Sequence, residues 1–228
     1  MAIFIGRKLE EASRKWLLQQ EVAFSEEPMI EVQLLDVNSS VFTKIASVDK
    51  NWIVTSKHAA LWLLAHHAEF GFHATDTVFC ISEKQAAILK RITQSIVLAK
   101  EKNSKSLIQQ VKNEKRTSVT VYLKGNRSLQ LKGLETFDVE VYQTSLLKPK
   151  VKESFDSYLF FSPSGVESFV EGGNQIPEQS KIIVIGDTTA KHAQNAFANE
   201  VITSASASEF GMVEMACQMA KVKACPSD

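Results

Sequence analysis

A chain of 228 residues, 44% hydrophobic and 23% charged, has an ordinary globular composition with room for one large domain or two modest ones. Lys plus Arg and Asp plus Glu number 26 each, and this zero net charge argues against a general nucleic-acid binder. No window reaches eighteen uninterrupted apolar residues, so no membrane span is expected. The opening MAIFIGRKLEEASRKW places charge after a short apolar run rather than before a long one. That is not a secretory layout, and export is not expected.

Taken in order, the chain alternates strand and helix patterns. AIFI (2–5) reads as a short strand, and Glu10 to Val22 carries helical spacing through Trp16, Leu17 and Leu18. Pro28 ends that pattern, and MIEVQLLDV (29–37) alternates like a strand. The spacing then predicts strand 52–55, helix 57–69, strand 77–81, a helix from Glu83 and strand 95–99. Helix 103–115, strand 118–124 and strand 137–143 follow. Strand 158–161, helix 163–171, strand 181–185, helix 187–198, strand 200–203 and helix 206–222 complete the chain. Such alternation predicts an α/β fold of parallel sheets with helices on both faces.

Three cysteines (Cys80, Cys217, Cys225) are an odd number without metal spacing, which suits a reducing cytoplasm. Cys80 reads as a small buried hydrophobe. His66 and His67 are adjacent on a helical stretch, point about 100° apart and cannot easily share a metal, so no metal site is expected. Charge is uneven along the chain. Cys80 to Glu135 holds twelve Lys/Arg against four Asp/Glu. The plain reading is a solvated surface; the other is attraction for a polyanion.

An internal repeat is present. WIVTSKHAALWLL (52–64) and YLFFSPSGVESFV (158–170) are each an apolar run that meets a hydroxyl and turns into a helix. Ser56 matches Ser162 at an offset of 106, Ser82 matches Gly186 at 104, and IEVQ (30–33) matches VEVY (139–142) at 109. Matches in one order at nearly constant offset indicate two related units.

In open α/β sheets ligands sit beyond the carboxyl ends of the strands, where helix N-termini favour an anion. Ser162 suits a cap, Pro163 the first helical position, and Gly165 lets a ligand approach the backbone. Ser164 with Glu167, Ser82 with Gln85, and Ser206 with Glu209 read as capping boxes, and Asp187, Thr188 or Thr189 as the cap after Gly186. Helix-start hydroxyls usually do no more than cap. There is no G-x-S-x-G elbow and no nucleotide-binding glycine loop. Whatever binds here needs positioning more than a covalent partner.

VTSKHAAL, VEVYQTS, FFSPSGVESF and VIGDTTAKHA together resemble the uroporphyrinogen-III synthase family, over nearly the whole chain. The resemblance implies two flavodoxin-like lobes: a discontinuous one of 1–33 and 143–228, and one of 38–137. Strands 30–37 and 138–146 would link them, and the twin corners would face one cleft. It implies a cyclising hydro-lyase that converts hydroxymethylbilane, a polycarboxylate linear tetrapyrrole, to uroporphyrinogen III with inversion of ring D. It implies no cofactor; no nucleic-acid or membrane partner is expected, and a cytoplasmic monomer is the default expectation. Arg7, Thr55, Ser56, Ser82, Gln85, Lys124, Gly125, Arg127, Ser162, Ser164, Gly165, Thr188 and Thr189 would then bind substrate carboxylates. Tyr142, in VYQT, would assist loss of the hydroxyl, or else serve as a linker aromatic. Ser82 and Gln85 stand where the family commonly has glycine and threonine, and Gly6 where it has a hydroxyl. The alternative is a bilobal binding or sensor protein that closes on a small anion without chemistry.

Overall fold

The computed structural model describes residues 2–45, 48–101, 103–114, 119–128 and 130–224. In chain order the elements are β1 (Ala2–Ile5), α1 (Glu11–Leu18), β2 (Ala23–Glu26), β3 (Ile30–Leu34), a 3-10 turn (Ser39–Ile45), β4 (Lys50–Val54), α2 (Lys57–His66), β5 (Thr77–Cys80), α3 (Glu83–Leu89), β6 (Ile96–Leu98) and α4 (Ser104–Asn113). Then come β7 (Val119–Gly125), β8 (Phe137–Leu146), β9 (Ser157–Phe160), α5 (Pro163–Glu171), β10 (Lys181–Val184), α6 (Asp187–Ala196), β11 (Val201–Thr203) and α7 (Glu209–Ala224). The ends predicted at Lys115 and Ser118 lie outside the described residues, as do Cys225 and, in the basic segment, Lys102, Lys115 and Arg116.

The chain forms two compact units, Met1–Glu31 with Ser145–Asp228, and Val32–Thr144. In the first, the strands run in the order β11-β10-β9-β1-β2, all paired in parallel. That is the flavodoxin-like order 2-1-3-4-5. Its central strands are apolar at the positions that face a helix layer, and the pleat sends alternate side chains to opposite faces. Phe4, Tyr158, Phe160, Ile182 and Val184 pack with Val166 and Phe169 of α5 and with Ala190 and Ala193 of α6. Ile3, Ile5, Leu159 and Ile183 meet Leu17 of α1 and Met212, Val213 and Ala216 of α7 on the other face.

The second unit has the order β3-β8-β7-β4-β5-β6. From β8 to β6 the pairing is parallel. Trp52, Val54, Val78, Cys80, Val121 and Leu123 face α2 and α3; Ile53, Phe79 and Tyr122 face Leu107 and Val111 of α4. Here β7, β8, β4, β5 and β6 take the places that β1, β2, β9, β10 and β11 hold in the first unit, so the repeat is circularly permuted. The β3–β8 pair runs antiparallel, because the Leu35 amide donates to Val141 and the Leu147 amide to Met29.

The sequence pattern misses β2. AFSE is short and half exposed, with no apolar alternation, and becomes a strand because it lies against β1 from Ala2–Ala23 to Ile5–Glu26. The alternation over 29–37 predicts one strand, but β3 stops at Leu34. Cys80 is buried, as its apolar run suggests.

Candidate functional site

Parallel strands place all their carboxyl ends along one edge of a sheet, and a crevice opens where the strand order reverses. In the first unit the reversal lies between β1 and β9, so the corners Gly6–Arg7 and Phe161–Ser162 flank it. In the second it lies between β4 and β7, flanked by Thr55–Ser56 and Gly125–Arg127.

In the second unit the crevice is organised around Tyr142. A bulge at Lys124/Gly125 shifts the register so that Gly125 stands opposite Tyr142. The Tyr142 ring lies over Gly125: a Cβ there would be 2.2 Å from Cε2 and 2.5 Å from Cζ. The Asn126 amide donates to the Tyr142 carbonyl (3.3 Å), and Asn126 Oδ1 accepts from the Thr144 amide (2.9 Å). The tyrosine hydroxyl is 3.4 Å from Ser128 Oγ, which itself accepts from the Gly125 amide. The His58 ring, on the first turn of α2, lies 5.4 Å from the tyrosine ring. Ser56 caps α2 by accepting from the Ala59 amide (3.0 Å), and Thr55 Oγ1 is 3.3 Å from the Tyr122 hydroxyl.

The remaining second-unit candidates are more committed. Lys124 pairs with Asp138 at 3.0 Å, and that hydrogen bond holds its ammonium above the usual lysine range. Arg127 is exposed. Ser82 and Gln85 form the expected capping box, and Gln85 Oε1 accepts from both the Ile81 and Ser82 amides. That oxygen is used in building the turn.

In the first unit, Ser162 caps α5 by accepting from the Gly165 amide (3.1 Å), with Pro163 next. Ser164 is therefore inside the first turn, and the expected Ser164–Glu167 box does not set the helix start. Gly165 is buried, and a Cβ there would come no nearer than 3.4 Å, to Ser162 Oγ. At α6 the cap position falls on Gly186, in extended conformation, and no side chain caps the helix. Asp187, Thr188 and Thr189 lie within the helix instead of capping it; Thr188 is exposed and Thr189 buried. An added Cβ on Gly186 would meet nothing within 4 Å. Uncapped amides beside open space are what an anion completes. Before α7, Ser208 rather than Ser206 accepts from the amide at the third helical position, Gly211. Glu209 turns instead toward Arg7 and the Glu10 amide.

Sequence reasoning does not single out His58, Asn126, Ser128, Phe161 or Glu209 as functional residues. Of these, His58 and Phe161 lie beside Ser56 and Ser162, Asn126 and Ser128 adjoin Gly125 and Arg127, and Glu209 closes the Ser206–Glu209 pattern. Asn126, Ser128 and Glu209 reach their partners through register and long-range packing. Among the described residues no group of His, Cys, Asp and Glu could hold a metal ion, and no helix is long and apolar enough to cross a membrane.

The second unit offers hydroxyls, a tyrosine and an arginine at its switch-point corners; the first offers an arginine and a serine at its own and an open helix N-terminus at the neighbouring corner. Each set suits binding of carboxylates, and the tyrosine suits transfer of one proton. Comparison with known proteins points the same way. The HEM4 family model, described as uroporphyrinogen-III synthase HemD, matches residues 15–214. No curated protein matches the chain. Among solved structures, the uroporphyrinogen-III synthetase of Helicobacter pylori 26695 superposes with TM-score 0.63 at 16% identity, over 96% of this chain and 98% of that one. A mutant uroporphyrinogen III synthase of the extremely thermophilic bacterium Thermus thermophilus superposes with TM-score 0.67 at 14% identity, over 97% and 98%. At such identities the structures establish a shared fold.

Proposed function

The chain belongs to the uroporphyrinogen-III synthase family, and from that we propose that it closes hydroxymethylbilane to uroporphyrinogen III as a cyclising hydro-lyase, inverting ring D. The observation that carries this is the family match over residues 15–214, which takes in nearly every corner described above. The binding roles follow from chemistry. The open N-terminus of α6, with Thr188 and Thr189, takes a substrate carboxylate, as do the hydroxyl corners at Thr55, Ser56, Ser162 and Ser164. Arg7 and Arg127 supply cationic forks; Lys124 contributes only by leaving Asp138.

Tyr142 gives its hydroxyl proton to the departing hydroxymethyl oxygen as the carbon–oxygen bond breaks, and water leaves. The cation that remains is able to close with or without inversion, and either closure releases one pyrrole proton, which the tyrosinate takes back. Holding the terminal ring by its carboxylates is what selects the inverting path. The socket of Gly125, Asn126 and Ser128 supports this role, because it fixes the ring that bears the proton. No cofactor enters this reading. The reduced thiols Cys80 and Cys217 support a cytoplasmic setting, and we take the working state to be a monomer.

The test is a coupled assay in which hydroxymethylbilane is generated in place and the product isomers are separated after oxidation. Mainly type III product is expected. Only the spontaneously formed type I product would refute the activity and leave a non-catalytic anion binder.

A further inference from the structure

Arg7 is held in an unusual way. Its guanidinium carbon lies 5.3 Å from the centroid of the Phe161 ring. Its polar contacts are both made by Nε, which donates to the Lys8 carbonyl and sits 3.2 Å from Glu209 Oε2. Neither terminal nitrogen donates a hydrogen bond among the described residues, and the side chain is 45% exposed. The two Nη groups, which grip a carboxylate as a fork, are thus the ones left over.

Glu209 is the opposite case. Its side chain is 9% exposed. Oε1 accepts from the Glu10 amide at 2.8 Å. Oε2 is shielded from water and receives no hydrogen bond, because the Arg7 Nε–H is aimed at Lys8. A buried carboxylate oxygen with no donor is costly. Two things offset that cost here: the positive end of α7, whose first residue is Glu209, and the Arg7 charge beside it. The acid is too buried to meet a ligand itself, and its contact with the guanidinium is at the inner edge, through Nε.

We propose that Glu209 is a positioning residue. Together with Phe161 it clamps Arg7 by its inner edge and ring face, so that the Nη fork is presented, already oriented, to one carboxylate of the substrate. The inference rests on the reaction proposed above. A preset fork loses less side-chain freedom on binding, so its worth appears in substrate affinity.

Glu209→Gln keeps the shape and the Glu10 hydrogen bond but removes the charge. It is expected to raise KM about tenfold, the worth of one charge-assisted contact, with kcat within about twofold. Arg7→Lys, which keeps charge and loses the fork, is expected to do the same. In an Arg7→Ala background, Glu209→Gln is expected to add less than about twofold. An unchanged KM in Glu209→Gln, or an equal loss with and without Arg7, would overturn the proposal. A merely structural clasp between α1 and α7 predicts that equal loss. If Glu209→Gln fails to fold, Phe161→Leu is read in the same way. A second readout needs no turnover. The Arg7 Nε–H resonance, assigned by its absence in Arg7→Ala, should shift in Glu209→Gln; an unmoved resonance would also refute the clamp. If the wild type makes no type III product, the reaction is wrong, and this resonance alone decides the clamp.

Discussion

Replacing Gly125 by alanine should move Tyr142, and the sign of the effect should depend on whether the ring is there. Gly125 lacks a left-handed φ, so alanine meets no backbone strain. The obstacle is the ring alone: the new Cβ would lie 2.2, 2.5 and 2.8 Å from Cε2, Cζ and Cδ2 of Tyr142. Carbon–carbon contacts settle near about 3.5 Å, so the ring must retreat by about 1.3 Å. That retreat strains its 3.4 Å contact with Ser128 and the bulge at Gly125. Overpacking of this kind costs about 1–3 kcal/mol, and the stiffer unfolded chain returns about 0.4–1 kcal/mol. The net expectation is a loss of roughly 0.5–2 kcal/mol. In a Tyr142→Ala background the clash is gone and only the return remains, so the same substitution should stabilise. Urea unfolding of the four variants checks this, read on the transition of the second unit. Equal signs in the two backgrounds would refute the reasoning.

The other predictions concern the reacting group and the core. Tyr142→Phe should lower kcat by about 10²–10⁴-fold and let the non-inverted product appear; full rate with full selectivity would remove the hydroxyl from the chemistry. Asp76 is fully buried and accepts from the Lys50 amide, the Trp52 indole and the His73 amide at 2.8, 2.8 and 3.0 Å. Asp76→Asn turns an acceptor toward those donors into a donor and should cost about 2–4 kcal/mol by urea unfolding; an unmoved midpoint would contradict it. Burial pushes the Cys80 thiol up from 9.0 to about 12. The folded thiol keeps its proton longer than the unfolded one, so stability is full below about pH 9 and falls as pH rises toward 12. The slope is up to about 1.4 kcal/mol per pH unit, and Cys80→Val should flatten it. A variant with the same alkaline slope would show that another group governs that limb.

Much of the architecture is local in origin and therefore legible. AIFI is a strand because Ile3, Phe4 and Ile5 are apolar and must be buried on both faces. Helix α5 begins where it is expected because Ser162 and Pro163 signal a start without tertiary help. The family resemblance rests on such corners, and the hydroxyl, proline and glycine types at strand ends are enough to place them.

Other features are set by contacts remote in sequence. AFSE has no strand pattern of its own; pairing with β1 creates β2. The hydroxyls of GDTTA look like caps, yet the backbone places Gly186 at that position and leaves the helix open. The seat of Tyr142 depends on a one-residue bulge in β7, and a slip of one residue changes which side chains face each other. Glu209 reaches Glu10 across 199 residues. The sequence by itself determined the internal repeat, most of the strands and the chemistry available at the corners, because each follows from burial period and helix-start residues. Only the tertiary structure decided which corners share a crevice, which polar groups are spent on turns and which stay open. Strand order, register and long-range hydrogen bonds have no short-range sequence signal.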